Sequence, residues 1–229
     1  MHINNSKMKN ILKDIIEDIE ITNWHILALF ITMEIVLIYT MDNYVLTREV
    51  YGNIYADKLD ISSIDNLYIF MKKFSFWGYL FSPILIIIRV AIVALLIQLL
   101  FMLGLRELSF KKIFRITLLG YGFLLLASVT KIIMLLMTPV EVISTESLAN
   151  IPFSIAFLLS ADTANDVFRG ILNNINLFEV LWIFSVGAGV SIISELKYNR
   201  AYMITMSVWM IIFLFKTGVN LYLYSIFEI

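Results

Sequence analysis

The chain of 229 residues contains no cysteine. That excludes disulfides, thiolate metal sites and a cysteine nucleophile. It has two histidines, His2 and His25, both near the N-terminus, which excludes a histidine-rich metal centre. There is no HExxH pair, no phosphate-cradling glycine loop and no GxSxG elbow. Charged residues make up 15% of the chain, against about 25% in an average soluble domain. The formal net charge of −1 leaves no basic footprint for nucleic acid.

What fills the chain instead is hydrocarbon. Apolar residues are 60% of the sequence, against roughly 45–50% in soluble domains, so polar groups cannot cover a globule of this composition. A membrane-spanning helix needs about 20 mainly apolar residues, and five stretches qualify: 21–41, 76–103, 113–137, 177–196 and 201–227. The expectation is an all-α, polytopic bundle of five spans over 21–229, preceded by a cytoplasmic amphipathic segment, 1–20. The lipid bilayer is then its first partner, with no metal and no cofactor.

Lysine and arginine set the orientation. Lys7, Lys9 and Lys13 precede the first span, Arg106, Lys111, Lys112 and Arg115 cluster between the second and third, and Lys197 and Arg200 join the fourth to the fifth. All three segments fall on one side of a five-span chain. On the other side the link from three to four has only Arg169, the C-terminus has no Lys or Arg, and Arg48, Lys58, Lys72 and Lys73 lie in the long loop from one to two, whose length of about 33 residues dilutes their vote. The predicted topology is N-in, C-out. No small-residue cleavage site follows the first span, so it is expected to stay attached.

Outside the spans, Met8, Ile11, Leu12, Ile15, Ile16 and Ile19 recur at helical spacing. The opposite face mixes Lys9, Lys13, Asp14, Glu17, Asp18 and Glu20. A helix built for an anionic membrane surface is basic on that face. This one either rests at the interface or docks a cytoplasmic partner. The outer loop Asp42–Ser75 holds Tyr44, Tyr51, Tyr55 and Tyr68, read as an interfacial aromatic belt, with a short helix near Ile61–Phe70. Residues 150–161 are apolar but too short to span, and Asn150 and Pro152 suit the start of a half-inserted or surface-lying helix.

Among the charges within the spans, five are candidates for a role: Glu34, Arg89, Lys131, Glu179 and Lys216. Counting at about 1.5 Å per residue places them between the midplane and the outer leaflet, with Asn220 one turn beyond Lys216. Such charges face the bundle interior or pair with one another. One reading is structural, with ion pairs such as Glu34–Arg89 and Glu179–Lys216 while Lys131 snorkels outward. The other is a polar cluster open to the outer leaflet, whose three cations against two carboxylates suit an anionic ligand. That second reading makes the chain a small transporter or a lipid-binding protein.

Small residues mark close helix approach: Ser185 and Gly189, Gly187 and Ser191, and Gly120 and Gly122. Pro83 is expected to kink the second span, with Ser82 satisfying a freed carbonyl. Ser128 stands three residues before Lys131, the one arrangement with any likeness to a nucleophile and base. With so little around it, no catalytic residue is assigned and the chain is read as non-enzymatic.

Gly120–Tyr121 early in the third span, the block NLFEVLWIFSVGAGVSIIS (176–194), the basic turn KYNRA (197–201) and the tryptophan-led SVWMIIFLFKTGVN (207–220) together resemble the Yip family, the five-span Ypt-interacting proteins and their bacterial relatives. The resemblance covers about Lys112 to Asn220. The Asp-Leu-Tyr-Gly-Pro run of eukaryotic members is absent, which points to the bacterial branch. The resemblance implies a membrane adaptor in a bacterial cytoplasmic membrane. Its partner would be another membrane complex, with an ABC-type exporter as the candidate. A homo-oligomer is compatible with it, and Lys7–Glu20 would be the recruiting segment.

Overall fold

The structure is a computed structural model and describes residues 23–104, 108–159 and 166–227. The expected amphipathic segment, with Met8, Ile11, Leu12, Ile15, Ile16 and Ile19, lies outside the described residues. Among them the chain is mainly helical and forms no β-strand, with an isolated antiparallel bridge between Ser154 and Asn176. The main helices are α1 (Asn23–Thr40), α2 (Arg48–Tyr55), α3 (Ile61–Leu103), α4 (Phe110–Met137), α5 (Thr145–Ala149), α6 (Ile155–Leu158), α7 (Asp166–Asn173), α8 (Leu177–Ser194) and α9 (Tyr198–Phe227). A π-helical turn, Met41–Val45, continues α1. Five of these, α1 with its π turn, α3, α4, α8 and α9, are long and apolar enough to cross a membrane. This is the architecture of a multi-pass membrane protein.

The second span differs from its sequence expectation. The segment read as outer loop with a short helix near Ile61–Phe70 runs without a break into the span, giving one helix of 43 residues. At 1.5 Å per residue that is about 64 Å, twice the roughly 30 Å of a hydrocarbon core. Asp65, Lys72 and Lys73 interrupt the apolar run but not the helical backbone. Pro83 lies inside α3. The adjacent Ser82 hydroxyl is buried and has no hydrogen-bond partner among the described residues, so the freed carbonyl is not satisfied in the expected way.

The chain divides into two compact units. The first comprises 23–29, 87–104, 108–124 and 177–227. Its core is apolar and follows helical spacing: Ala94, Ile97 and Phe101 on α3, Ile113 and Ile116 on α4, Trp182, Val186 and Val190 on α8, and Ala201 and Val208 on α9. Between apolar helices in lipid the drive to pack is close van der Waals contact, and glycine supplies it. A Cβ on Gly120 would stand 2.5 Å from the Val186 side chain, and one on Gly189 would stand 2.5 Å from Ile116. Gly187 lies as tightly against the Tyr202 ring. Gly122 and Ser185 are only half-buried.

Helices α8 and α9 pack against each other, joined by residues 195–197. The Ser194 hydroxyl donates to the Val190 carbonyl at 2.6 Å, and that of buried Ser191 to the Leu196 carbonyl at 2.8 Å. These bonds hold Glu195 at φ 55°, the left-handed position that glycine commonly takes just past a helix end.

The second unit comprises 30–86, 125–159 and 166–176. Polar bonds tie it. Thr47 caps α2, and Arg48 holds Asp65 with two bonds at 2.6 and 3.0 Å. Asp42 in the π turn takes Lys72 at 3.1 Å and the Ser75 hydroxyl at 3.0 Å. The aromatic-belt expectation fails for Tyr51, which is buried, stacked on Tyr55 and edge-on to Tyr68. Tyr44 is exposed. Around 150 the chain also departs from expectation. Asn150 ends α5 rather than starting a helix, and α6 is a single turn capped by Ser154.

Candidate functional site

The first unit carries one charged cluster within its spans. Arg89 comes from α3, Glu179 from the first turn of α8 and Lys216 from α9. A carboxylate in a first turn is favoured by the positive end of the helix dipole. Both cations converge on the same oxygen. The Lys216 ammonium donates to Glu179 Oε1 at 3.5 Å, and the Arg89 guanidinium lies 4.0 Å from that oxygen. The Tyr121 ring of α4 sits 5.7 Å from the guanidinium carbon, close enough for a cation–π contact.

Exposure separates the three groups. The Glu179 side chain is 12% exposed, those of Arg89 and Lys216 46% and 36%. The carboxylate is thus inside and the cations form its rim. An isolated charge at membrane depth costs roughly 2.5–3.5 kcal/mol on insertion scales, and one carboxylate shared by two cations offsets part of that while leaving the triad formally at +1.

Of the other charges expected in the cluster, Glu34 on α1 and Lys131 on α4 belong to the second unit. Lys131 is half-buried and makes no ion pair or hydrogen bond among the described residues, with Ser128 included. Asn220 is exposed on α9, one turn beyond Lys216. No three His, Asp or Glu side chains converge as a metal site among the described residues.

Sequence reasoning missed a second polar centre, in the second unit. Buried Arg169 of α7 is ion-paired to Glu146 of α5. Asn173 Oδ1 accepts from the Ile151 backbone N–H at 3.1 Å and from the Ser154 hydroxyl at 3.0 Å. Its Nδ2 donates to the Ala149 carbonyl at 3.4 Å, and Asn176 Nδ2 donates to the Asn173 carbonyl at 3.0 Å. Three of these bonds serve backbone groups and the other two join side chains of the same unit, so the centre reads as a structural hub. The available signal was the run of asparagines at 173, 174 and 176 beside an apolar segment too short to span. The chain matches no family model, no curated protein and no solved structure.

Proposed function

We propose that the chain is a non-enzymatic, Yip-like adaptor of a bacterial cytoplasmic membrane that binds another membrane complex, with an ABC-type export system as the candidate partner. One observation carries the reading. The segments that bear the resemblance pack on one another as a single core: Gly120 against Trp182 and Val186, Gly189 against Ile116, and α8 along α9. The residues quoted for the resemblance thus include those at which the helices of the first unit approach most closely. On this reading the N-terminus is cytoplasmic, supported by the clustering of Lys and Arg before the first span and in the two short links.

Quantitative mass spectrometry after gentle detergent purification from the native host tests the adaptor. Stoichiometric co-purification of a membrane complex, lost when residues 6–20 are deleted, is the expected result. A partner retained in full by the deletion variant would overturn the recruiting role of that segment, and purification without any stoichiometric protein would overturn the adaptor. The absence of cysteine makes orientation simple to measure. A membrane-impermeant thiol reagent applied to intact cells should label Asp57→Cys and spare Lys197→Cys, and the reverse pattern would invert the topology.

A further inference from the structure

We propose that Arg89 and Lys216 form a binding site for a phosphate oxyanion, which competes with the resident Glu179 carboxylate for the two cations. The site goes beyond the adaptor reading and does not depend on it.

Three features point to an anion. The first is stoichiometry: two cations share a single oxygen of one carboxylate. An arginine presents five N–H donors and a lysine three, and Glu179 meets one nitrogen of each, so most donors remain for another acceptor. The second is direction. The carboxylate is the shielded member and both cation side chains are open, so an approaching group meets positive charge first. The Tyr121 ring restrains the Arg89 guanidinium, whose planar fork matches two oxygens of a phosphate.

The third is depth. Arg89 lies about 21 Å from the Leu103 end of α3 and Lys216 about 27 Å from the Tyr198 end of α9, at 1.5 Å per residue. Across a hydrocarbon core of roughly 30 Å, Arg89 lies about two thirds of the way across and Lys216 near the far boundary, where long cationic side chains reach outward by snorkelling. A phosphate at that level belongs to a lipid head group or to a free phosphate held where the head groups begin. Both present the same oxyanion to the same two cations.

The test is native mass spectrometry of the full chain in detergent with phosphatidylglycerol added, and in parallel with inorganic phosphate. The wild type should retain one phosphatidylglycerol. Arg89→Gln and Lys216→Gln should each weaken retention by at least about tenfold, the scale of a lost charge-assisted hydrogen bond. Lys216→Arg should preserve it. Glu179→Gln should strengthen it, because the competing carboxylate is neutralised. A purely structural ion triad predicts the opposite sign for that last variant. Displacement of the lipid by inorganic phosphate assigns the site to the oxyanion from either source, and retention untouched by phosphate assigns it to the lipid head group. Absence of binding by both probes overturns the proposal, as does retention unchanged in the two cation-to-Gln variants. Should these variants fail to fold, the wild type alone decides. It must retain phosphatidylglycerol over phosphatidylcholine and lose it as salt rises, and equal retention of the two lipids overturns the site.

Discussion

The two units of this chain hold together by different means. The first is joined by the removal of side chains: glycines at 120, 187 and 189 let helices approach until Val186, Tyr202 and Ile116 touch backbone. The second is joined by polar stitches, with Asn173, Arg169, Asp42 and Arg48 each tying separate segments. Close packing needs regular helices along their length. Short helices and turns cannot bury enough hydrocarbon to fix one another, and their exposed backbone groups need partners. Each unit therefore uses the means its elements allow.

The sharpest way to break this comparison is Asn173→Leu. It leaves the Ile151 N–H and the fully buried Ser154 hydroxyl without their acceptor, at about 1–3 kcal/mol for each buried group left unsatisfied. A loss of roughly 2–4 kcal/mol is expected, read as a lower thermal midpoint in detergent. A neutral result would mean that apolar contact holds the second unit as well.

Next in size is Gly120→Ala. The added methyl meets Val186 and the Trp182 ring, and overpacking of this kind costs about 1–3 kcal/mol. Gly218→Ala is the control, since nothing lies within 4 Å of a Cβ there. It should be neutral or slightly stabilising, alanine being the better helix former by up to about 1 kcal/mol. Equal effects at the two positions would remove close approach as the explanation. Glu195→Gly should raise stability by roughly 0.5–1 kcal/mol, because it relieves a left-handed backbone in a residue with a Cβ. A fall in the midpoint would show that the Glu195 side chain contributes something the turn needs.

The smallest effect separates the units by pH. Asp60, just ahead of α3, accepts hydrogen bonds from Ser62 and Ser63, and these hold its carboxyl below the usual range. A carboxyl depressed in the folded state contributes stability that is present above its unfolded value, about 3.9, and is lost as pH falls through the folded one. Local protection of the α3 start against hydrogen exchange should therefore weaken below about pH 4 and lose that dependence in Asp60→Asn. Protection in the first unit around Ile116 and Gly120 on α4, where the packing is apolar, should stay constant over the same interval. A parallel change in both would sink the distinction.

The same contrast explains what the sequence reveals. Five long apolar runs give the helices that could span, and small residues four apart mark Gly189 as a contact, because both signals are local and periodic. The extension of α3 to Ile61 is hidden because charge is a cue for leaving the membrane and not for ending a helix. Lys72 and Lys73 read as loop, while their backbone remains helical and Lys72 is satisfied by Asp42 from elsewhere in the chain. The charged residues can be named from sequence but not matched. Between Arg89 and Glu179 lie the rest of α3 and the whole of α4 to α7, and periodicity carries no information on which carboxylate a distant guanidinium will meet. The Asn173 hub is invisible for the same reason, since its acceptors and donors lie at separations of 19 to 24 residues.

The short link after Ser194 has a consequence for biogenesis. Three residues between α8 and α9 leave no room for one helix to settle in the bilayer while the other waits outside, so the two must enter as a hairpin. That hairpin carries Glu179 on one arm and Lys216 on the other. Each charge alone would tax insertion, but folded together they arrive already paired. The last two spans bring one counter-charge of their own into the membrane, and Arg89 of the earlier α3 supplies the second.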